Sequence, residues 1–158
     1  MSIPKYTRRD FCLHSFQTGS LAAIATALTG CGGSSSSPTG PSGLPSLATI
    51  NATIANNAIA LTIDASSLLA AVGTAALVNA SGRAFLVAHT GENTFVAVTA
   101  ICTHEQCTVS TFQNQIYECP CHGSQYSTSG SVLRGPATRS LTQFATVFGN
   151  NVLTITLG

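Results

Sequence analysis

Four cysteines and two histidines, side chains that commonly hold transition metals, lie between positions 102 and 122 of this 158-residue chain. They fall in two boxes, 102–107 with the sequence CTHEQC and 119–124 with the sequence CPCHGS. Each box offers a Cys and a His close together and one further Cys. Two thiolates and two imidazoles make a four-ligand set for a metal. The two remaining thiols, one from each box, could bridge each other in an oxidising compartment.

The type of metal centre depends on which site would use all of these residues. A mononuclear zinc site generally takes its ligands in pairs two to four residues apart, whereas only one residue separates Cys102 from His104. Zinc would also leave the extra Cys pair without a role. Haem attachment is disfavoured because the chain has no C-x-x-C-H segment, and an all-Cys iron–sulfur cluster would leave both His idle. A 2Fe–2S cluster with two Cys on one iron and two His on the other would use every residue, and zinc remains the alternative.

The two boxes, C-T-H-x-x-C and C-P-C-H-G-S, resemble those of the Rieske iron–sulfur proteins. More narrowly, they resemble the disulfide-containing, high-potential branch found in cytochrome bc and bf complexes and related exported proteins. The resemblance covers about residues 75–157 and implies one Rieske 2Fe–2S cluster per chain. The metal ligands that it implies are Cys102 and Cys119 on the inner iron and His104 and His122 on the outer iron. It also implies a disulfide between Cys107 and Cys121 that joins the two cluster loops.

The same resemblance implies roles for residues beyond the ligands. Ser124 and Tyr126 match positions whose hydroxyl groups donate hydrogen bonds to the sulfurs in the high-potential branch. Such bonds stabilise the reduced, more negative cluster and so raise its potential. Gly135 and Pro136 resemble the proline-containing loop that covers the cluster in this family.

One segment departs from the family pattern. Respiratory Rieske subunits usually have Leu-Gly between the His and the second Cys of the first box, where this chain has Glu105 and Gln106. The residue after that His lies at an exposed tip, so a carboxylate there is expected to weaken apolar docking and to lower the potential modestly. Only fourteen residues separate His104 from Cys119, slightly fewer than in the respiratory type. These differences put membership of a true bc complex in doubt. The alternative interpretation of Glu105 is a solvated loop residue without a role in docking.

Composition restricts the remaining classes. Only 7% of the residues are charged, against roughly 25% in an ordinary soluble domain, and the net charge of +1 provides no basic face for nucleic acid. An apolar fraction of 44% is too high for a disordered chain. No uninterrupted apolar run of about 18 residues is present, which excludes a polytopic membrane protein.

Beyond residue 46 the pattern predicts a compact antiparallel all-β domain, residues 47–158, in the form of a small sandwich or barrel. The resemblance implies the Rieske-type fold of small antiparallel sheets with a cluster-binding subdomain formed by two loops. Residues 66–71 could form one helical turn, and His89 is interpreted as a surface or strand histidine and not as a ligand. The predicted strands are Thr49–Ile54, Ile59–Asp64, Ala75–Asn79, Ala84–His89, Thr94–Ala100, Thr108–Phe112, Ile116–Cys119, Gln125–Ser127, Thr142–Phe148 and Val152–Leu157.

The N-terminal region has the layout of an export signal. Residues 7–11, TRRDF, resemble the twin-arginine motif, and an apolar run follows at 21–28. Residues 28–31, LTGC, resemble a lipobox, which implies lipidation of Cys31. We therefore predict a twin-arginine, lipoprotein-type signal at 1–30 and a flexible Gly/Ser-rich linker at 31–46.

Together these patterns predict one-electron transfer by a membrane-anchored protein on the extracytoplasmic, periplasmic side, held by an N-terminal lipid or signal anchor. The expected partners are a redox donor and acceptor, such as a cytochrome or a quinol-oxidising complex. Whether the chain belongs to an enzyme is left open. The alternatives are the iron–sulfur subunit of a quinol–cytochrome c oxidoreductase-like complex, the small Rieske subunit of a molybdenum oxidoreductase, and a zinc-containing surface lipoprotein without a redox role.

Overall fold

A computed structural model describes residues 43–158, and these form twelve β-strands and no helix. The predicted signal, Cys31 and most of the predicted linker lie outside the described residues. The strands are β1 Thr49–Ala52, β2 Ile54–Ala55, β3 Ala58–Thr62, β4 Ala75–Ala80, β5 Arg83–Gly91, β6 Thr94–Thr99, β7 Thr111–Gln113, β8 Ile116–Glu118, β9 Gln125–Ser127, β10 Val132–Arg134, β11 Gln143–Gly149 and β12 Val152–Thr156. The all-β prediction is confirmed.

Two sheets carry these strands. The larger has eight strands in the order β1-β4-β5-β6-β11-β12-β3-β2, and the smaller has four in the order β10-β9-β8-β7. Among the described strands only β1 and β4 pair in parallel, a departure from the antiparallel arrangement expected from the sequence. Parallel strands need a long crossover connection, and residues 53–74, which include β2 and β3, provide it.

The middle strands of the larger sheet are buried on both faces. Phe85 and Val87 of β5 pack into one hydrophobic core, and the alternating neighbours Leu86 and Ala88 pack into a second core. The second core also contains Cys102 and the aromatic residues of the smaller sheet. A strand between two cores reads as a continuous apolar run, which explains the sequence of β5. Because Leu86 and Ala88 share the second core with Cys102 and Cys119, the loops that begin at these cysteines start from the interior of the domain.

The hairpin turns follow local turn chemistry. Ser81 and Gly82 join β4 to β5, and Asn150 and Asn151 join β11 to β12, all with positive φ. Asn and Gly tolerate this left-handed region better than other residues. Both turns thus join consecutive antiparallel strands through residues that suit a tight hairpin.

Three local predictions were wrong. The proposed strand at 108–112 is replaced by β7 at 111–113, and Thr108 only forms an isolated bridge with Ile101. Residues 66–71 form successive turns and no helix. Strand β10 was not predicted because its three residues carry no alternation long enough to recognise. Within residues 43–158 no helix has the length and apolarity needed to cross a bilayer.

Candidate metal centre

The first box, residues 102–107, forms a closed loop directly after β6. The backbone N–H of Cys102 donates to the carbonyl of Cys107 at 2.8 Å, and the N–H of Gln106 donates to the carbonyl of Cys102 at 2.9 Å. The bridge between Ile101 and Thr108 closes the base of the loop. These bonds fix the residues between the two cysteines at the tip of a tight turn.

The second box, residues 119–124, repeats this geometry between β8 and β9. The N–H of Cys119 donates to the carbonyl of Ser124, and the N–H of Gly123 donates to the carbonyl of Cys119, both at 2.9 Å. Gly123 has φ +71°, and the equivalent residue of the first loop, Gln106, has φ +57°. The two loops therefore present their side chains in matching ways, but the first places a Gln in a conformation that favours Gly.

The four cysteines separate into a disulfide and two free thiols. Cys107 and Cys121 form a disulfide with their Cα atoms 6.5 Å apart, which confirms the pairing that the resemblance implied. Cys102 and Cys119 are free and buried. The Sγ atom of Cys119 lies within 4.8 Å of both disulfide sulfurs, so the disulfide lies directly beside the thiol pair.

The two free thiols have shifted pKa values. Burial acts to raise the pKa of Cys102, but hydrogen bonds from the Tyr126 hydroxyl and from the backbone N–H of His104 outweigh it and leave that pKa below its ordinary value. Burial raises the pKa of Cys119, and the adjacent Cys102 raises it further. The hydrogen bonds to Cys102 thus favour its thiolate form, which is the form that binds a metal.

The two histidines occupy the exposed end of the same site. The rings of His104 and His122 meet edge to face with centroids 4.9 Å apart, and both residues are exposed. A carboxylate oxygen of Glu105 lies 3.8 Å from Nε2 of His122. The donor set therefore runs from two buried sulfurs to two imidazoles that face solvent.

A hydrogen-bond network supports the buried end. The Tyr126 hydroxyl lies 3.2 Å from Cys102 Sγ and 3.2 Å from Thr103 Oγ1, and it accepts a bond from the Thr103 backbone N–H at 3.3 Å. Because the Thr103 hydroxyl donates its own proton to the Arg139 carbonyl at 2.6 Å, the Tyr126 proton is shared between Thr103 Oγ1 and the Cys102 sulfur. The Cys102 thiolate is the stronger acceptor.

A third segment is hydrogen-bonded to the second loop. The Ser124 hydroxyl oxygen, fully buried, accepts a hydrogen bond from the Ala137 backbone N–H at 3.0 Å. Ala137 follows the exposed Gly135 and Pro136. The bond ties this proline-containing segment to the second loop and leaves the Ser124 proton free to donate elsewhere.

The residues predicted from the sequence thus come together in one place. Sequence reasoning missed the part played by Thr103 and Arg139, because the contact joins a residue inside the first box to a carbonyl 36 positions away. His89 lies apart from the boxes in β5, as predicted for a strand histidine, but it is buried and stacked on Phe95 with ring centroids 4.2 Å apart.

The donor chemistry fits the cluster that the sequence predicted. Two unbonded thiols, two imidazoles and a neighbouring closed disulfide account for all six Cys and His residues of the two boxes. The disulfide removes Cys107 and Cys121 from the donor set and leaves two thiols and two imidazoles as the four possible ligands. The ligand assignment itself stays a prediction.

Comparison with known proteins gives the same family. The profile of the Rieske [2Fe-2S] domain matches residues 61–145. The cytochrome b6-f complex iron–sulfur subunit of Synechococcus sp. (strain JA-2-3B'a(2-13)) is 51% identical over 57 residues, which make up 35% of this chain and 33% of that protein. The chain thus spans about a third of the length of that relative.

Two solved structures are similar to parts of this chain. The plasma membrane Rieske protein PetC3 of Synechocystis PCC 6803 is 32% identical, with 51% of this chain and 84% of that chain covered at a TM-score of 0.47. The ferredoxin of carbazole 1,9a-dioxygenase from Nocardioides aromaticivorans IC177 is 15% identical, with 63% and 98% covered at a TM-score of 0.51, a likeness of fold. Since the profile extends over more than half of the chain, and the paired loops carry the full Cys and His set, this chain belongs to the Rieske [2Fe-2S] domain family and its cofactor is a Rieske 2Fe–2S cluster.

Proposed function

We propose that the protein transfers single electrons between redox partners through this site. The observation that supports the proposal is the polarity of the donor set, with Cys102 and Cys119 buried and His104 and His122 exposed. The cluster, when bound, supplies a one-electron couple, and Rieske centres lie at about −150 to +300 mV. The exposed imidazoles give the shortest route from the buried end of the site to a partner at the surface.

The surrounding residues set the potential and exclude water. Tyr126 donates toward the Cys102 sulfur, and the free proton of Ser124 is available to a second acceptor. Donors beside the sulfurs favour the more negative, reduced state, which places the expected potential in the high range for iron–sulfur centres. The disulfide holds the two loops together, and the segment that contains Pro136 is hydrogen-bonded to the second loop.

We further propose that the domain works on the extracytoplasmic, periplasmic side of a membrane, to which an N-terminal lipid or signal anchor attaches it. The twin-arginine-like residues 7–11 support export of a folded protein, and the lipobox-like residues 28–31 support lipidation of Cys31. The disulfide between Cys107 and Cys121 is consistent with an oxidising compartment.

A second candidate is a subunit of a quinol-oxidising complex that passes electrons to a cytochrome. The 51% identity to a cytochrome b6-f iron–sulfur subunit over 57 residues favours it. Copurification with a cytochrome b and quinol-dependent reduction of the protein would distinguish this role from that of a free carrier. Copurification with a molybdopterin subunit would instead support the molybdenum oxidoreductase alternative.

A redox titration followed by electron paramagnetic resonance tests the main proposal. We expect the signal of a mixed Cys/His 2Fe–2S cluster to appear on one-electron reduction at a potential well above that of all-Cys ferredoxins. The His122→Cys variant should lower that potential, because it replaces a neutral ligand with a charged thiolate. Protein that remains colourless after anaerobic reconstitution, or that takes up a single zinc ion, would exclude the proposal.

A further inference from the structure

The tip of the first loop is a carboxylate. The side chain of Glu105, which follows His104 in the chain, is 62% exposed, and its carboxylate oxygen lies 3.8 Å from Nε2 of His122. His104, Glu105 and His122 place their ligand atoms within 4.8 Å of one another. We call these three exposed residues the tip, and a partner that contacts His122 there approaches the Glu105 carboxylate as well.

The position of Glu105 is fixed by the backbone. The loop is closed by the two hydrogen bonds between the backbones of Cys102, Gln106 and Cys107 and by the bridge at its base. The closed loop keeps the backbone of Glu105 next to that of His104, and its carboxylate lies beside the His122 ring. Its charge therefore acts on every encounter at the tip.

The other acidic side chains of residues 43–158 lie elsewhere. Asp64 binds Ser66 in the turn after β3, and Glu118 accepts a bond from Gln125 at 2.7 Å on β8. Glu92 lies in the turn before β6, at the end of that strand opposite the first loop, roughly 20 Å away for six extended residues. Arg139 contacts the first loop through its backbone carbonyl, which accepts a hydrogen bond from the Thr103 hydroxyl.

We propose, resting on the function proposed above, that the tip selects electron partners whose contact surface is cationic, and that Glu105 is the residue responsible. An apolar surface would have to desolvate the carboxylate without compensation, whereas a cationic surface pairs with it. Charge complementarity at a contact site acts mainly on association rate and partner choice.

Two small oxidants of opposite charge test this directly. Reduced protein gives one electron to tris(phenanthroline)cobalt(III), which becomes the cobalt(II) complex, or one electron to ferricyanide, which becomes ferrocyanide, and in neither case is a bond made or broken. At low ionic strength we expect Glu105→Gln to slow the reaction with the cationic complex and to accelerate the reaction with the anionic one. The ratio of the two rate constants should change by about ten-fold or more. The difference should shrink at about 0.5 M salt, where the screening length is near 4 Å.

Glu92→Gln is the matched control, since it removes the same charge far from the tip and should leave the ratio unchanged. A change in driving force would move both rates in the same direction, so only opposite changes support the proposal. The proposal would be overturned if Glu105→Gln protein with an intact cluster signal reacted with both oxidants at the wild-type rates. It would also be overturned if both rate constants changed in the same direction. Absence of the cluster signal in the wild-type protein would instead overturn the proposed function.

A binding measurement provides a readout that needs no electron transfer. An isotope-labelled, lysine-rich c-type cytochrome serves as the probe, and its amide signals report association with the oxidised protein. We expect several-fold weaker binding to the Glu105→Gln protein than to the wild-type and Glu92→Gln proteins. Equal binding to all three would contradict the proposal.

Discussion

Two buried tyrosines face each other across β8 and β9, and replacing each with Phe should have opposite effects. Tyr117 and Tyr126 are directly paired in register, and neither exposes any surface. The Tyr117 hydroxyl has no hydrogen-bond partner within residues 43–158, and burial raises its pKa, so that it remains a neutral, unsatisfied O–H. The Tyr126 hydroxyl contacts the Cys102 sulfur and two groups of Thr103.

The expected magnitudes follow from these contacts. A buried polar group without a partner costs about 1–3 kcal/mol, while the small void left by one oxygen costs only a few tenths of a kcal/mol. Tyr117→Phe should therefore raise the free energy of unfolding by about 1–2 kcal/mol and leave the midpoint potential unchanged. Tyr126→Phe leaves the Thr103 backbone N–H without its acceptor and removes a hydrogen-bond donor from the Cys102 sulfur. It should therefore lower the free energy of unfolding by about 1–3 kcal/mol.

The potential separates the two variants further. If the Tyr126 bond favours the reduced state by about 1–2 kcal/mol, its loss lowers a one-electron midpoint potential by about 40–90 mV. Urea denaturation with the slope held in common gives the stabilities, and a spectroscopic redox titration gives the potentials. A clear loss of stability in Tyr117→Phe would show that its hydroxyl has a partner, and the reasoning from the unsatisfied group would then be wrong.

Three further predictions concern the loops themselves. Gln106→Gly should raise the free energy of unfolding by about 0.5–1 kcal/mol, because a left-handed φ costs a non-glycine residue about 1–2 kcal/mol, whereas Gly123→Ala should lower it; urea denaturation checks both. Replacing Cys107 and Cys121 together by Ser should lower the free energy of unfolding by about 3 kcal/mol, since the disulfide closes a loop with a sequence separation of 14. Equal free energies of unfolding for the wild-type protein with the disulfide oxidised and reduced would contradict this. Thr103→Val should lower the stability by about 1 kcal/mol yet raise the midpoint potential, because the Tyr126 proton then has only the sulfur as acceptor; a fall in potential would refute the hydrogen-bond assignment.

The sequence was sufficient for the parts of this domain that depend on local chemistry. The hairpin at Asn150 and Asn151 could be predicted because it depends on adjacent turn residues. The grouping of the Cys and His residues could be predicted because the ligands of each box lie within six consecutive positions. The parallel pairing of β1 with β4 and the bond from Thr103 to Arg139 could not. Both join positions far apart in the chain, and no short pattern specifies which distant backbone a strand or a hydroxyl will meet.

The replacement of Leu-Gly by Glu105 and Gln106 has two separable physical consequences. Gln106 has the same left-handed backbone conformation as Gly123 of the second loop. This conformation costs free energy for a residue other than glycine, and the two loops keep the same backbone geometry. At Glu105 nothing in the backbone changes, but the exposed imidazole edge acquires a negative charge. Gln106→Gly should therefore alter stability without altering the choice of oxidant, and Glu105→Gln should alter the choice of oxidant without altering stability. If either variant changed both properties, the loop geometry and the tip charge would be coupled, and partner selection could not be assigned to the charge alone.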